Sequence, residues 1–132
     1  RVIIVEGKPT FSELFSLSKD YPNDINCFCN SDIYFTDLSR IKKIRENEGY
    51  AITRDDMVNT INASCSQDAW AFRGVVKKMN AHFTMGLWGC DNRIANEIKQ
   101  AGYILKNPSL SIKIVHLHKV DNRQHHRTNE NT

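Results

Sequence analysis

Ile25-Asn-Cys-Phe-Cys-Asn-Ser-Asp32 is the stretch that sets the fold. Its first five residues form a short apolar run of strand type, and Asn30-Ser-Asp32 ends it with turn-forming residues. On the N-terminal side, Thr10-Phe-Ser-Glu13 has the capping-box pattern, with Thr at the N-cap and Glu three positions on. Phe11, Leu14, Phe15 and Leu17 then give the predicted helix an apolar face, and Asp20-Tyr-Pro-Asn-Asp24 is a loop of turn formers. Val2-Ile-Ile-Val5 reads as a further buried strand, broken by Gly7-Lys-Pro9. On the C-terminal side, Asp37 is expected to cap a helix running to about residue 48. Leu38, Ile41 and Ile44 would face inward and Arg40, Lys42, Lys43 and Arg45 outward, with Gly49 as the stop. Tyr50-Ala-Ile-Thr53 is the next strand. Strand, helix, strand, helix and strand in that order indicate an α/β domain with a largely parallel sheet.

The second half continues in short elements. Residues 54–64 are polar and turn-like, the best candidate for a mobile loop. Ser66-Gln-Asp-Ala-Trp-Ala-Phe72 alternates as a strand does, with Ala69 and Ala71 on one face and Trp70 and Phe72 on the other. Met85-Gly-Leu-Trp-Gly-Cys-Asp-Asn-Arg-Ile94 is a glycine-hinged turn that runs into a helix predicted over 93–101. Ile94, Ala95, Ile98 and Ala101 have helical spacing, and Gly102 stands where a left-handed C′ residue belongs. Tyr103-Ile-Leu-Lys106 and Ile112-Lys-Ile-Val-His-Leu-His118 are two more strands, separated by a turn at Asn107-Pro108. Residues 121–132 hold almost nothing apolar and are expected to be disordered or held only by a partner.

With 132 residues the chain is long enough for one domain with a real core, assigned to residues 1–120. A formal charge of +3 with no basic stripe interleaved with aromatics argues against nucleic acid as the partner, while an anionic small ligand is compatible. No apolar run approaches the ~18 residues of a membrane span, and no secretory leader is visible. The sequence opens at Arg1 without a methionine, which suggests a piece of something longer or a mature product. Cys27 and Cys29 alternate on one face of a strand, and Cys65 and Cys90 lie far apart, so reduced thiols fit better than a structural zinc. A cytoplasmic setting is expected, or host cytoplasm for a viral source.

Four groups could carry chemistry. Ligands of open α/β sheets bind outside the carboxyl ends of the strands, which is where Asn30-Ser-Asp32 falls. Asp32 there could be a metal ligand, with Asn30 beside it, although the same triplet is common turn vocabulary. Asp68 is a second carboxylate, placed before Trp70 and Phe72; as a bland alternative it is an exposed acid on an edge strand. His116 and His118 point to one face of the last strand, as a pair of imidazole ligands would. Asp91 belongs at a helix N-terminus, where negative charge is favoured. An N-cap does not need the two glycines and the indole of Gly86-Leu-Trp-Gly89, and that surplus suggests a surface holding something flat against a carboxylate.

Taken together, Asn30-Ser-Asp-Ile-Tyr-Phe35, Ser66-Gln-Asp-Ala-Trp-Ala-Phe72, Gly86-Leu-Trp-Gly-Cys-Asp-Asn-Arg-Ile94, Ala101-Gly-Tyr-Ile-Leu-Lys-Asn-Pro108 and His116-Leu-His118 resemble a GT-A type glycosyltransferase of a bacterial and viral family-2-like group. The resemblance implies a Rossmann-like sheet, mostly parallel, with helices on both faces. It implies a nucleotide-sugar donor and a hydroxyl acceptor. Asn30-Ser-Asp32 takes the place of the Asp-x-Asp motif, so that Asn30 and Asp32 meet the donor and Asp32 holds a divalent cation, Mn²⁺ or Mg²⁺, on its diphosphate. His116 or His118 would be the C-terminal metal ligand. Asp91 matches the general base of inverting enzymes, and Trp88, Gly89, Asn92 and Asp68 fall at the acceptor. Two departures stand out: Asn30 replaces the usual first Asp, and Cys90 stands where many relatives carry Glu.

Only 29 residues precede Asn30, so the first nucleotide-binding βα unit is expected to be shortened or missing. A truncated sheet edge invites self-association, and a homo-oligomer or a longer chain is expected. Two rival functions fit the same residues. One is a metal-dependent phosphohydrolase or nuclease using Asp32, Asp68, Asp91 and the histidines. The other is a non-catalytic sugar- or nucleotide-binding module.

Overall fold

A computed structural model describes residues 2, 4–60 and 66–117. The expected tail, His118 and Cys65 lie outside the described residues. The elements are α1 (Phe11–Ser16), β1 (Ile25–Cys29), β2 (Ile33–Phe35), β3 (Glu48–Ile52), β4 (Ala69–Arg73), α2 (Cys90–Gln100), β5 (Ile104–Lys106) and β6 (Ile114–His116). The domain is mixed α/β.

A four-stranded sheet has the order β1-β4-β3-β5, and β2 pairs with β6 in a separate antiparallel ribbon. β4 runs antiparallel to both of its neighbours, whereas β3 and β5 are parallel. Strands β1, β3 and β5 therefore share one direction, as a parallel sheet requires, and β4 is inserted against them. The expectation of a largely parallel sheet thus gives way to a mixed one with a single parallel pair. The cause lies in the connections: parallel neighbours need a long crossover, and among the described residues no helix of useful length lies between β1 and β4.

β4 occupies the centre because both of its faces are apolar. Trp70 and Phe72 enter a cluster with Phe11, Phe15, Ile94, Ile98 and Tyr103 on the helical side. Ala69 and Ala71 face Ile33, Ile41, Ile44, Ile52 and Ile114 on the ribbon side. The aromatic side is knit by edge contacts, Phe11 to Trp70 at 5.0 Å and Phe15 to Phe72 at 5.1 Å between ring centroids.

Local signals explain both helices. Thr10 is extended, and its hydroxyl accepts from the Glu13 N–H at 3.1 Å, so α1 starts at its capping residue. α2 ends in a Schellman motif: Tyr103 N–H donates to Ile98 O, Gly102 N–H donates to Lys99 O, and Gly102 has φ +98°. α2 begins at Cys90, earlier than expected, because Gly89 at φ +78° turns the chain into it. Gly49 lies inside β3 rather than at a helix end. A Cβ there would come within 3.0 Å of Ile98 and 3.1 Å of Phe72, so its absence lets α2 close on the sheet.

Two expected elements are absent. Instead of a helix from Asp37 to about 48 there is a 3-10 turn, Ser39–Lys43. The Asp37 carboxylate accepts from Ser39 N–H and from its hydroxyl, a local bond that competes with helix propagation. Ile41 and Ile44, three apart, remain buried together, but Leu38 faces solvent. Val2, Ile4 and Val5 form no strand, and Val2 and Ile4 are 89% and 92% exposed. Their β propensity has no neighbouring strand to act on among the described residues. No helix among the described residues is long and apolar enough to cross a membrane.

Candidate functional site

The carboxyl ends of β1, β3 and β5 and the entry to β4 share one end of the sheet, and the polar residues gather there. Asn30, directly after β1, is tied twice to Asp68, directly before β4. Its main-chain N–H donates to Asp68 O at 3.0 Å, and its side-chain amide donates to Asp68 Oδ1 at 2.8 Å. The Asp68 N–H in turn donates to Ile52 O at the end of β3. Asp68 is 2% exposed, so its carboxylate is an internal strut rather than an exposed acid on an edge strand. From that position it supports Asn30.

Asp32 sits in the turn between β1 and β2. Its Oδ2 lies 2.8 Å from His116 Nε2, and its main-chain oxygen accepts from Leu117 N–H. The register of the ribbon produces this contact, because Ile33 stands opposite His116. Asp32 and His116, 84 positions apart, thus form a carboxylate–imidazole pair on which a cation could be held. Among the described residues no group of three or more His, Cys, Asp or Glu side chains is arranged to hold a metal. Two protein ligands suit a cation that takes its remaining oxygens from a diphosphate and water.

Asp91 lies in the first turn of α2. Oδ2 accepts from the Gln67 N–H at 3.2 Å, and the Cys90 thiol lies 3.3 Å from Oδ1. Burial, reinforced by the charge of Asp91, pushes the Cys90 thiol up to about 11, so at neutral pH it is a neutral donor to that carboxylate. Gln67 is adjacent to Asp68, so a line of contacts runs from Asn30 through Asp68 and Gln67 to Asp91. The five residues singled out in the sequence thus form two groups beyond the strand ends, Asp32 with His116 on the ribbon side and Asn30, Asp68 and Asp91 along the line that leads to α2.

The turn ahead of Asp91 is held open by two left-handed glycines, Gly86 at φ +81° and Gly89 at φ +78°. Trp88 between them is 86% exposed, so its indole belongs to the surface rather than to the core. Asn92 lines a cleft of about 400 Å³ between α2 and the ends of β3 and β5. Cys27 and Cys29 are free, exposed thiols on the β1 edge. Burial, then the neighbouring Cys29, raises Cys27 to about 11; burial, then Asp32, raises Cys29.

Several residues of this end escape a motif-based reading. Arg54, after β3, is 5% exposed, and its Nε lies 2.9 Å from Asp56 Oδ1. Thr53 and Asn107 bind each other reciprocally across the parallel pair, Asn107 Nδ2 donating to the Thr53 hydroxyl at 2.8 Å and Thr53 N–H to Asn107 Oδ1 at 3.2 Å. The strand-end rule that singled out Asn30-Ser-Asp32 applies equally to Thr53-Arg54 and Asn107, and is the signal that could have found them. No family model, curated protein or solved structure matches this chain.

Proposed function

We propose that this domain is a GT-A type glycosyltransferase that moves a sugar from a nucleotide-sugar donor to an acceptor hydroxyl. The observation that carries the proposal is the placing of two groups beyond the carboxyl ends of β1, β3 and β5, the Asp32–His116 pair and the line from Asn30 through Asp68 and Gln67 to Asp91. Those three co-directional strands, with one helix-led return into β5, are the part of the sheet that a Rossmann-like GT-A reading needs.

Asp32 and His116 would hold a divalent cation, which supplies Lewis-acid neutralisation of the charge that grows on the leaving diphosphate. Asn30, fixed by Asp68, orients the turn that carries Asp32. Asp91 takes the proton of the acceptor hydroxyl as its oxygen bonds to the anomeric carbon. The bond from that carbon to the diphosphate breaks, and its electron pair leaves with the nucleoside diphosphate. The Gln67 N–H and the Cys90 thiol are among the donors that aim the carboxylate. Attack from the face opposite the leaving group gives inversion. The exposed indole of Trp88 offers a flat apolar surface for a sugar ring at the turn leading to Asp91.

The test is product analysis with a panel of nucleotide sugars, Mn²⁺ and simple glycoside acceptors. Acceptor-dependent release of nucleoside diphosphate with a matching glycosylated product is expected. Release of inorganic phosphate instead would assign the same residues to a phosphohydrolase, and binding without any turnover would make the domain a module.

A further inference from the structure

The basic side chains away from the candidate site are not evenly spread. Arg40, Lys42, Lys43 and Arg45 follow one another closely, and all four are exposed. Their arrangement comes from the 3-10 turn Ser39–Lys43, in which side chains at i and i+3 eclipse. Positions 38, 41 and 44 therefore share one side. Ile41 and Ile44 are buried on it, and Leu38, at the outer end of the same row, is 50% exposed. The remaining sides face solvent, one with Arg40 and Lys43 in register and the other with Lys42. Arg45 follows after the chain turns extended at Ile44.

The segment is held in this shape at both ends. The Asp37 carboxylate accepts from the Ser39 N–H and hydroxyl, and the Arg73 guanidinium donates to Lys42 O and Ile44 O. Among the described residues none of the four exposed cations makes an ion pair. The Glu48 carboxylate is buried and paired with Lys106. Asp37 and Glu46 are the exposed acids of the segment, and with both counted the face keeps a net positive charge. Like charges in register, as at Arg40 and Lys43, repel each other, and a surface of negative charges relieves that cost.

We infer that this face docks on a membrane surface rich in anionic lipid, with Leu38 entering the headgroup layer. Each cation is attracted to such a surface, and an exposed apolar side chain adds burial that a purely charged partner does not reward. Residues 36–46 include no aromatic side chain on which a nucleic-acid base could stack. Docking of this kind needs no spanning helix. The face lies at the Arg73 end of β4, away from Asp68, so docking leaves the candidate site open. The inference is independent of the transferase proposal.

The experiment is co-sedimentation of the full chain with vesicles of phosphatidylcholine alone and of phosphatidylcholine with about 30% phosphatidylserine, at about 0.1 M and about 0.5 M NaCl. The expected result is binding to the anionic vesicles only, half-complete near about 1 mM accessible lipid and lost at the higher salt. Each Lys or Arg changed to Gln should lower the partition coefficient about fivefold. The combined variant Arg40→Gln, Lys42→Gln, Lys43→Gln, Arg45→Gln should therefore sediment no better than with neutral vesicles. Lys42→Gln and Lys43→Gln singly carry the same test should the combined variant fail to fold. Leu38→Ser, at unchanged charge, should weaken binding about threefold. A charge-matched control, with the exposed Lys8, Lys19, Lys78 and Lys99 changed to Gln, should stay within about twofold of the parent. Equal binding to both vesicle types, binding that survives the combined variant, equal loss in the control, or indifference to Leu38→Ser overturns the inference. Tighter binding of a DNA duplex of about 20 base pairs at the same salt overturns it too and assigns the face to nucleic acid.

Discussion

The two ends of β4 handle polar side chains in opposite ways. At the Arg73 end, donors close off main-chain oxygens. The Arg73 guanidinium gives Nε to Ile44 O and Nη2 to Lys42 O, both at 2.7 Å, and the Asn26 amide reaches Gly74 O at 2.9 Å. These bonds satisfy loop carbonyls that would otherwise be stranded beside the sheet. At the Asp68 end the main characters are carboxylates, and among their partners are an amide, a thiol, a backbone N–H and an imidazole. A guanidinium on two carbonyls has completed its task within the fold. Under the transferase proposal, the carboxylates at the other end meet a cation and an acidic proton. One end closes off the fold, and the other is the end to which the proposal assigns chemistry.

Substitutions should separate the two. Asp91→Asn keeps the shape of the side chain and removes the proposed base, so under the transferase proposal transfer should fall by about 10²–10⁴. Its near-UV circular dichroism should match the parent's; loss of the fold would place Asp91 with the structural end. Arg73→Met removes two charge-assisted bonds and strands two carbonyls, which should cost about 2–4 kcal/mol in urea unfolding. Its effect on nucleotide binding should be nil once the variant is folded.

A subtler contrast uses pH. Glu48 opens β3 at the Arg73 end, and its carboxylate is held below the usual range by the Lys106 ammonium first and by the Arg45 N–H as well. Because the folded-state value lies below the unfolded one, the stabilisation is complete above the ordinary carboxylate pKa of ~4.3 and fades as pH falls through the depressed value. Glu48→Gln should therefore flatten the acid limb of a Tm-against-pH curve. An unchanged limb would show the pair to be idle. The smallest effect on stability belongs to Trp88→Ala at the other end, within about 0.5 kcal/mol for a surface side chain. The same change should weaken acceptor use while leaving nucleotide binding alone, and a collapse of the fold would contradict the exposed position of the indole.

The features readable from sequence are those encoded by neighbours in the chain. Thr10 and Glu13 mark the start of α1, Gly102 marks the end of α2, and the alternation of Ala69, Trp70, Ala71 and Phe72 gives both faces of β4. What escaped depends on partners far away. The insertion of β4 against β1 and β3 is a pairing choice that alternation does not encode. The segment after Asp37 has helical spacing, yet a carboxylate bond to Ser39 and the pull of β3 leave only a 3-10 turn. In the site, Asn30, Asp32 and Asp91 could be placed by strand-end and helix-start rules. The burial of Asp68 under Asn30 could not, since it follows from the β1–β4 register. The cleft escaped for a similar reason, because its wall is shared among α2, β5 with its flank, and residues of β3 and the entry to β4.

Thermal-shift and calorimetric titration of the full chain with nucleoside diphosphates, with and without Mn²⁺, compares parent protein and Asp32→Asn in one experiment. The expected result is a Tm increase for one diphosphate that requires Mn²⁺ and is lost in Asp32→Asn, while Arg73→Met, though less stable, retains the increase. Metal-independent stabilisation, or a shift equal in the parent and in Asp32→Asn, would contradict the assignment of the Asp68 end as a donor site.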